Sequence, residues 1–296
     1  MATLFTEIKR RFNAGTIAAK YIYINFGVFI LIRLYMIVCR LFMTEATFIN
    51  YLEMPSDPAL LMYRPWTIIT YMFVHLDFLH IIFNMLWLYW FGKIFLQFFT
   101  GRQLGGLYVL GGVAGGAFFW LAYNTFPYLK QMAASSFLVG ASASVMAIVF
   151  AVSFYRKNYA INLLLIGQIK LIYLALAVLL IDILAITSEN AGGHIAHIGG
   201  ALLGILFAFQ YQKGKDFTGA INRLIDRSVN LFRRKPTFKT YRTNKTNHPH
   251  AESDAAYLRR KSEENRMIDA ILDKLKRSGY ESLSPDEKKK LFDAGR

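Results

Sequence analysis

The chain has 296 residues, 55% of them hydrophobic, with a mean hydropathy of +0.32 and a formal charge of +15. Several apolar runs reach roughly 18 residues or more, which a water-soluble core of this size does not need, so a purely soluble globular protein is excluded. The basic residues gather at the N-terminus and beyond residue 212, the pattern of a membrane protein with basic ends, and nucleic acid is not an expected partner. One cysteine, Cys39, leaves no intrachain disulfide and no zinc–thiolate cluster.

Residues 1–20 are basic, with little apolar content and no small-residue cleavage site. They read as an amphipathic cytoplasmic lead-in and not as a removable signal peptide. Six apolar spans follow, at 21–43, 79–99, 104–126, 137–155, 170–187 and 192–212, each near the roughly 20 residues a bilayer core requires. The start of the fifth is blurred because 162–169 is apolar too. Lys9, Arg10, Arg11 and Lys20 precede the first span. Lys93 and Arg102 flank the second turn, Arg156, Lys157 and Lys170 follow the fourth span, and a dense basic set follows Gln212. The other connections carry no such excess, so the positive-inside rule places both termini in the cytoplasm.

On that map three spans start on the outer side and carry polar residues at similar depth. His80 and Asn84 lie in the first two turns of span two. Ser142 lies about five residues into span four, and His197 about five into span six, some 2–10 Å below the helix starts. Ionisable residues inside a membrane helix are costly and point to function. Serine becomes a nucleophile when histidine takes its proton, and acyl transfer also needs donors for the developing oxyanion. His80 and Asn84, at i and i+4, share a helix face and can supply them, with the Ser142 N–H as a third. Gly200 and Gly204 form a small-residue face that can press on Gly140, Ala141 and Ala143, and the glycines of span three permit equally close packing.

These stretches resemble the rhomboid intramembrane serine proteases. Gly140-Ala141-Ser142 is similar to the family's nucleophile motif. Ala196-His197-Ile198-Gly199-Gly200-Ala201-Leu202-Leu203-Gly204 matches its A-H-x-x-G-x-x-x-G pattern, and His80-Ile81-Ile82-Phe83-Asn84 its H-x-x-x-N element. Arg64-Pro65-Trp66-Thr67, with Thr70 and His75, resembles the segment leading from the first external loop into the second span. The resemblance covers about residues 20–212. It implies an all-α, six-helix transmembrane bundle that cleaves transmembrane or membrane-anchored proteins with a Ser–His dyad and no acidic third member. Ser142 would be the nucleophile, His197 the base, and His80 and Asn84 the oxyanion donors. Three positions depart from the family pattern: Ala143 stands where Gly is usual, Met146 where some members carry Tyr, and Gln97 where an acidic residue is common.

Other residues compete for roles. His75, His80, His194 and His197 could together bind a metal, but no H-E-x-x-H or cysteine pair supports this, and neither a metal nor another cofactor is expected. His194 reads as a loop-end residue near water. Ser144 is turned about 200° from Ser142. Asp182 needs a partner inside the bundle. It either hydrogen-bonds structurally, with Arg33 as one candidate, or orients His197.

Residues 213–253 read as a basic linker whose apolar positions can lie on the anionic inner leaflet, and 254–296 as a small helical module. Ser284-Pro285-Asp286-Glu287 is a helix start with a capping box. The module is either a hairpin packed on itself or a docking element for a cytoplasmic partner. The expectation is a multi-pass protein of a bacterial inner membrane whose partners are the lipid bilayer and transmembrane protein substrates. The competing reading is a catalytically inactive rhomboid-like protein that binds transmembrane helices.

Overall fold

The computed structural model describes residues 4–163, 167–232 and 254–294. The chain divides into two compact units, Met1–Arg234 and Lys235–Arg296.

In the first unit, α1 (Leu4–Ala14) is a short amphipathic helix. α2 (Ile17–Leu41) follows, its first turn capped by the Thr16 hydroxyl, which accepts from the Ala19 N–H. The loop after it holds β1 (Met54–Pro55), α3 (Pro58–Tyr63) and α4 (Thr67–Thr70). Its side chains fasten it to itself. Arg64 donates to the Asn50 carbonyl at 2.7 Å and lies over the Tyr51 ring, Trp66 Nε1 donates to the Tyr51 carbonyl at 2.8 Å, and the Thr70 hydroxyl donates to the Leu52 carbonyl at 2.8 Å.

α5 (Phe78–Phe95) is N-capped by Asp77, and α6 (Gly101–Thr125) opens with a reciprocal Thr100–Gln103 capping box. After α7 (Pro127–Lys130), β2 (Phe137–Leu138) pairs antiparallel with β1, matching Met54 to Leu138. α8 (Ser142–Tyr155) leads into a hairpin of β3 (Ala160–Leu163) and β4 (Gly167–Lys170). α9 (Leu171–Leu184) and α10 (Ala191–Gln212) complete the bundle. α2, α5, α6 and α10 are long and apolar enough to cross a membrane, and α8 and α9 are shorter apolar helices. The six apolar helices fall where six spans are expected, and the protein is an all-α, multi-pass membrane bundle.

Two boundaries move, both for local reasons. The fourth span, expected from residue 137, becomes helical only at Ser142, because 137–138 is tied to β1 and Gly140 takes φ +112°. Ser142 is therefore the first residue of its helix and not five residues into it. The fifth span, expected over 170–187, is the 14-residue α9: it starts at Leu171, where the β3–β4 hairpin ends, and it stops at Leu184, three residues earlier than expected.

Bundle packing rests on small side chains. α8 sits at the centre, with every residue from Ala143 to Ser153 buried. Its Ala143, Ala147 and Ala151 recur every four residues and form one stripe. A Cβ added at Gly200 or Gly204 of α10 would overlap the carbonyls of Ala143 and Ala147, and one at Gly111 or Gly115 of α6 would overlap the Ala147 and Ala143 methyls. The expected packing role of Gly200 and Gly204 is thus realised against α8. Gly140 is placed differently: its Cα faces the His80 ring, where an added Cβ would lie 2.7 Å from Cε1.

Residues 213–253, read from sequence as a linker, open instead with α11 (Thr218–Phe232), whose placement on α6 is specific. Thr218 lies against Gly106, Asn222 donates to the Arg102 carbonyl at 3.0 Å, and Arg102 pairs with Asp226. The linker stretch 236–253 lies outside the described residues. In the second unit α12 (Asp254–Ser278) and α13 (Pro285–Ala294) form a helical hairpin. Glu287 bonds back to the Ser284 N–H at 2.7 Å, completing the expected capping box, and pairs with Lys274 at 2.9 Å.

The small-residue contact yields a direct test. Gly200→Val is expected to destabilise the protein by about 2 kcal/mol or more, because the Ala143 carbonyl it meets is backbone and cannot move aside. Gly27→Val, with nothing within 4 Å, is expected to leave the melting temperature in detergent nearly unchanged.

Candidate active site

The N-terminal ends of α5, α8 and α10 and the C-terminal part of α9 line an open cavity of about 280 Å³. Its walls carry His80 and Asn84 from α5, Ser142 from α8, Asp182 from α9 and His197 from α10, with Phe83, Trp87, Val145, Met146 and Val178 supplying apolar surface. All four residues expected from sequence to form the site line this one space. Met146, at one of the positions that depart from the family pattern, is among its apolar walls.

Ser142 owes its position to the turn before it. Gly140 donates its N–H to the Tyr71 carbonyl at 2.9 Å, and the Ala141 N–H donates to Nε2 of His75 at 3.3 Å. The second contact sets the His75 tautomer: Nε2 accepts, so Nδ1 carries the proton. With its preceding amides bound and Ser142 at the first helical position, the chain presents that residue at a helix N-terminus, where backbone N–H groups lack intrahelical acceptors. Ser144 is buried at 1% exposure, and its Cα would lie 3.3 Å from a Cβ on Gly111, so it faces α6. That placement agrees with its helical offset from Ser142.

His80 packs edge-on against His75, their ring centroids 5.1 Å apart. Asn84 Nδ2 donates to the His80 carbonyl at 2.9 Å, which fixes the amide and leaves its second N–H free of that bond. Gln97, another departure from the family pattern, accepts from the Tyr159 hydroxyl at 3.1 Å and so ties the end of α5 to the segment after α8.

Of the two readings weighed for Asp182, the contact with His197 is the one present, and it is joined by His194. The Asp182 carboxylate, 3% exposed, places a single oxygen, Oδ1, 2.9 Å from His197 Nδ1 and 2.8 Å from His194 Nδ1. Arg33, weighed as its partner, instead donates to the Leu76 carbonyl at 3.2 Å. His194 is not a loop residue; it lies in the first turn of α10 and shares the acceptor of His197. The three donor atoms lie within 4.8 Å of one another, whereas His75 and His80 do not join this group, so the four-histidine cluster weighed from sequence does not assemble.

The Rhomboid domain family matches residues 63–213, which take in every residue that lines the cavity. The chain belongs to the rhomboid family. RHOMBOID-like protein 12, mitochondrial, of Arabidopsis thaliana is similar to it, at 28% identity over 161 residues. The match covers 51% of this chain and 48% of that protein, so the chain spans about half the length of the curated relative it matches. Residues 252–293 match a family of unknown function, DUF6576. Within the rhomboid bundle α5, α8 and α10 thus bring the three quoted motifs to one cavity, while Asp182 comes from α9, outside all of them.

His75 carries a prediction about stability. Burial pushes its imidazole down to about 4, with the neighbouring His80 adding to the shift and the Phe73 backbone opposing it. Between pH 6.5 and 4 the unfolded chain binds a proton that the folded chain does not, so stability falls as pH drops through that window, by up to about 3 kcal/mol. Melting temperatures measured across this range should decline, and His75→Gln, which removes the titration, should flatten the decline.

Proposed function

We propose that this rhomboid is an intramembrane serine endopeptidase that hydrolyses peptide bonds of transmembrane or membrane-anchored proteins, with Ser142 as nucleophile and His197 as general base. The observation that carries the reading is the convergence of Ser142 and His197, from the ends of two different helices, on one cavity within the apolar bundle. In the proposed step Ser142 Oγ attacks the substrate carbonyl carbon while His197 Nε2 takes its proton. The C=O π electrons move to oxygen, which the Asn84 amide, the His80 ring and the Ser142 N–H stabilise. The proton then passes to the leaving amine, and a water repeats the sequence to release the acyl group.

The residues need no cofactor for this chemistry. Basic residues at Lys9, Arg10, Arg11 and Lys20, and again beyond Gln212, support an orientation with both ends of the first unit in the cytoplasm. In that orientation the cavity opens toward the outer leaflet, and a bacterial inner membrane is the proposed location. The C-terminal hairpin is proposed to meet a cytoplasmic partner.

Ser142→Ala is expected to abolish cleavage of a transmembrane model substrate while leaving expression and melting temperature intact; cleavage at the wild-type rate removes Ser142 from the mechanism. A fluorophosphonate probe separates this reading from that of an inactive helix-binding rhomboid, since only the active enzyme should be labelled at Ser142. Asn84→Ala is expected to lower kcat by about 10²-fold with little change in KM, as steady-state kinetics on the same substrate would record.

A further inference from the structure

We propose that Asp182 is the positioning residue of this site, a buried carboxylate hydrogen-bonded to the ring of His197 and held in place by His194. The proposal rests on the hydrolase reading and adds to it a residue that lies outside every motif quoted from the sequence.

The distances decide what kind of contact this is. Oδ1 is 2.9 Å from His197 Nδ1 and 2.8 Å from His194 Nδ1, the separations of N–H···O hydrogen bonds. One oxygen accepting from both rings assigns both tautomers: His194 and His197 each carry hydrogen on Nδ1.

That assignment has a direct consequence for His197. With Nδ1 donating to Asp182, the lone pair of the neutral ring is on Nε2, the nitrogen left to take the Ser142 proton. The opposite tautomer would carry hydrogen on Nε2 and could not act as base. When the proton has moved, His197 is a cation hydrogen-bonded to the Asp182 carboxylate, itself only 3% exposed, so the carboxylate stabilises the charge that the reaction creates.

His194 performs a different task. The Asp182 Oδ2 atom is buried with no hydrogen-bond partner among the described residues, so the carboxylate is not anchored from that side. His194 supplies a second donor to Oδ1 from the same helix as His197, three residues earlier, and holds the acceptor in register with α10. α9, which brings Asp182, packs against α10 and α8, so the carboxylate reaches the site through helix packing and not through the loops.

The test uses full-length protein in detergent with a fluorogenic peptide bearing a transmembrane segment, and a fluorophosphonate probe for Ser142. Asp182→Asn keeps the shape and removes the charge. It is expected to lower kcat by about 10²–10³-fold with KM within twofold of wild type, and to slow Ser142 labelling in parallel. Asp182→Glu, which keeps the carboxylate, is expected to recover at least tenfold of that loss. A purely structural Asp182 would lower the folded fraction and leave kcat per folded molecule unchanged, and that result overturns the proposal. Should Asp182→Asn not fold, His194→Ala carries the test, since it leaves Asp182 in place. It is expected to lower kcat about tenfold at unchanged KM, and wild-type kcat there overturns the shared-acceptor arrangement. A wild-type protein that neither cleaves nor reacts at Ser142 overturns the hydrolase reading and this one together. Full wild-type activity retained by Asp182→Asn overturns this one alone.

Discussion

The close approach of α8 to α6 and α10 is the constraint on which the rest depends. Apolar helices in a bilayer gain little from hiding apolar surface from lipid, so their association rests on backbone proximity and van der Waals contact. Here the Ala143–Ala147–Ala151 stripe lies between Gly111 and Gly115 on one side and Gly200 and Gly204 on the other. A larger side chain at any of these glycines would push the helices apart. Because Ser142 is one residue before this stripe and His197 three before Gly200, the contact that joins the helices also sets the spacing of the site.

The second determinant is a turn. Gly140 must be glycine for two separate reasons: its φ of +112° lies where side chains are strained, and the His80 ring occupies the space a Cβ would fill. The turn ends the β1–β2 pairing, exposes the start of α8 and brings the Ala141 amide to His75. A neutral, buried His75 is thus a backbone acceptor, a use of histidine that its polarity alone does not suggest.

Much of this was legible in the chain because membrane spans and short motifs are local signals. The six apolar runs, the i,i+4 relation of His80 and Asn84, the small-residue face of α10 and the Ser284 capping box each depend on residues a few positions apart. What was not legible is non-local or lacks periodicity. The run from Ala160 to Leu184 is apolar almost throughout, so hydropathy could not separate a strand hairpin from a helix, and the register of Asp182 was undetermined with it. Without that register, the sequence could name His197 as one possible partner of Asp182 but could not choose it over Arg33, and nothing pointed to His194. Ser142 was assigned a depth by counting from an apolar boundary, while the true helix start follows from a backbone angle at Gly140.

The length of α9 has a consequence for the surrounding membrane. Fourteen residues rise only about 21 Å, against a hydrocarbon core of about 30 Å, and the helix turns Tyr173, Leu176, Leu180, Ile181 and Leu184 outward. A stretch shorter than the hydrocarbon core is matched by local thinning of the bilayer, by flanking side chains that reach to the interface, or by association with another apolar surface. On the flank that holds the carboxylate, an apolar wall this short favours a locally thinner bilayer.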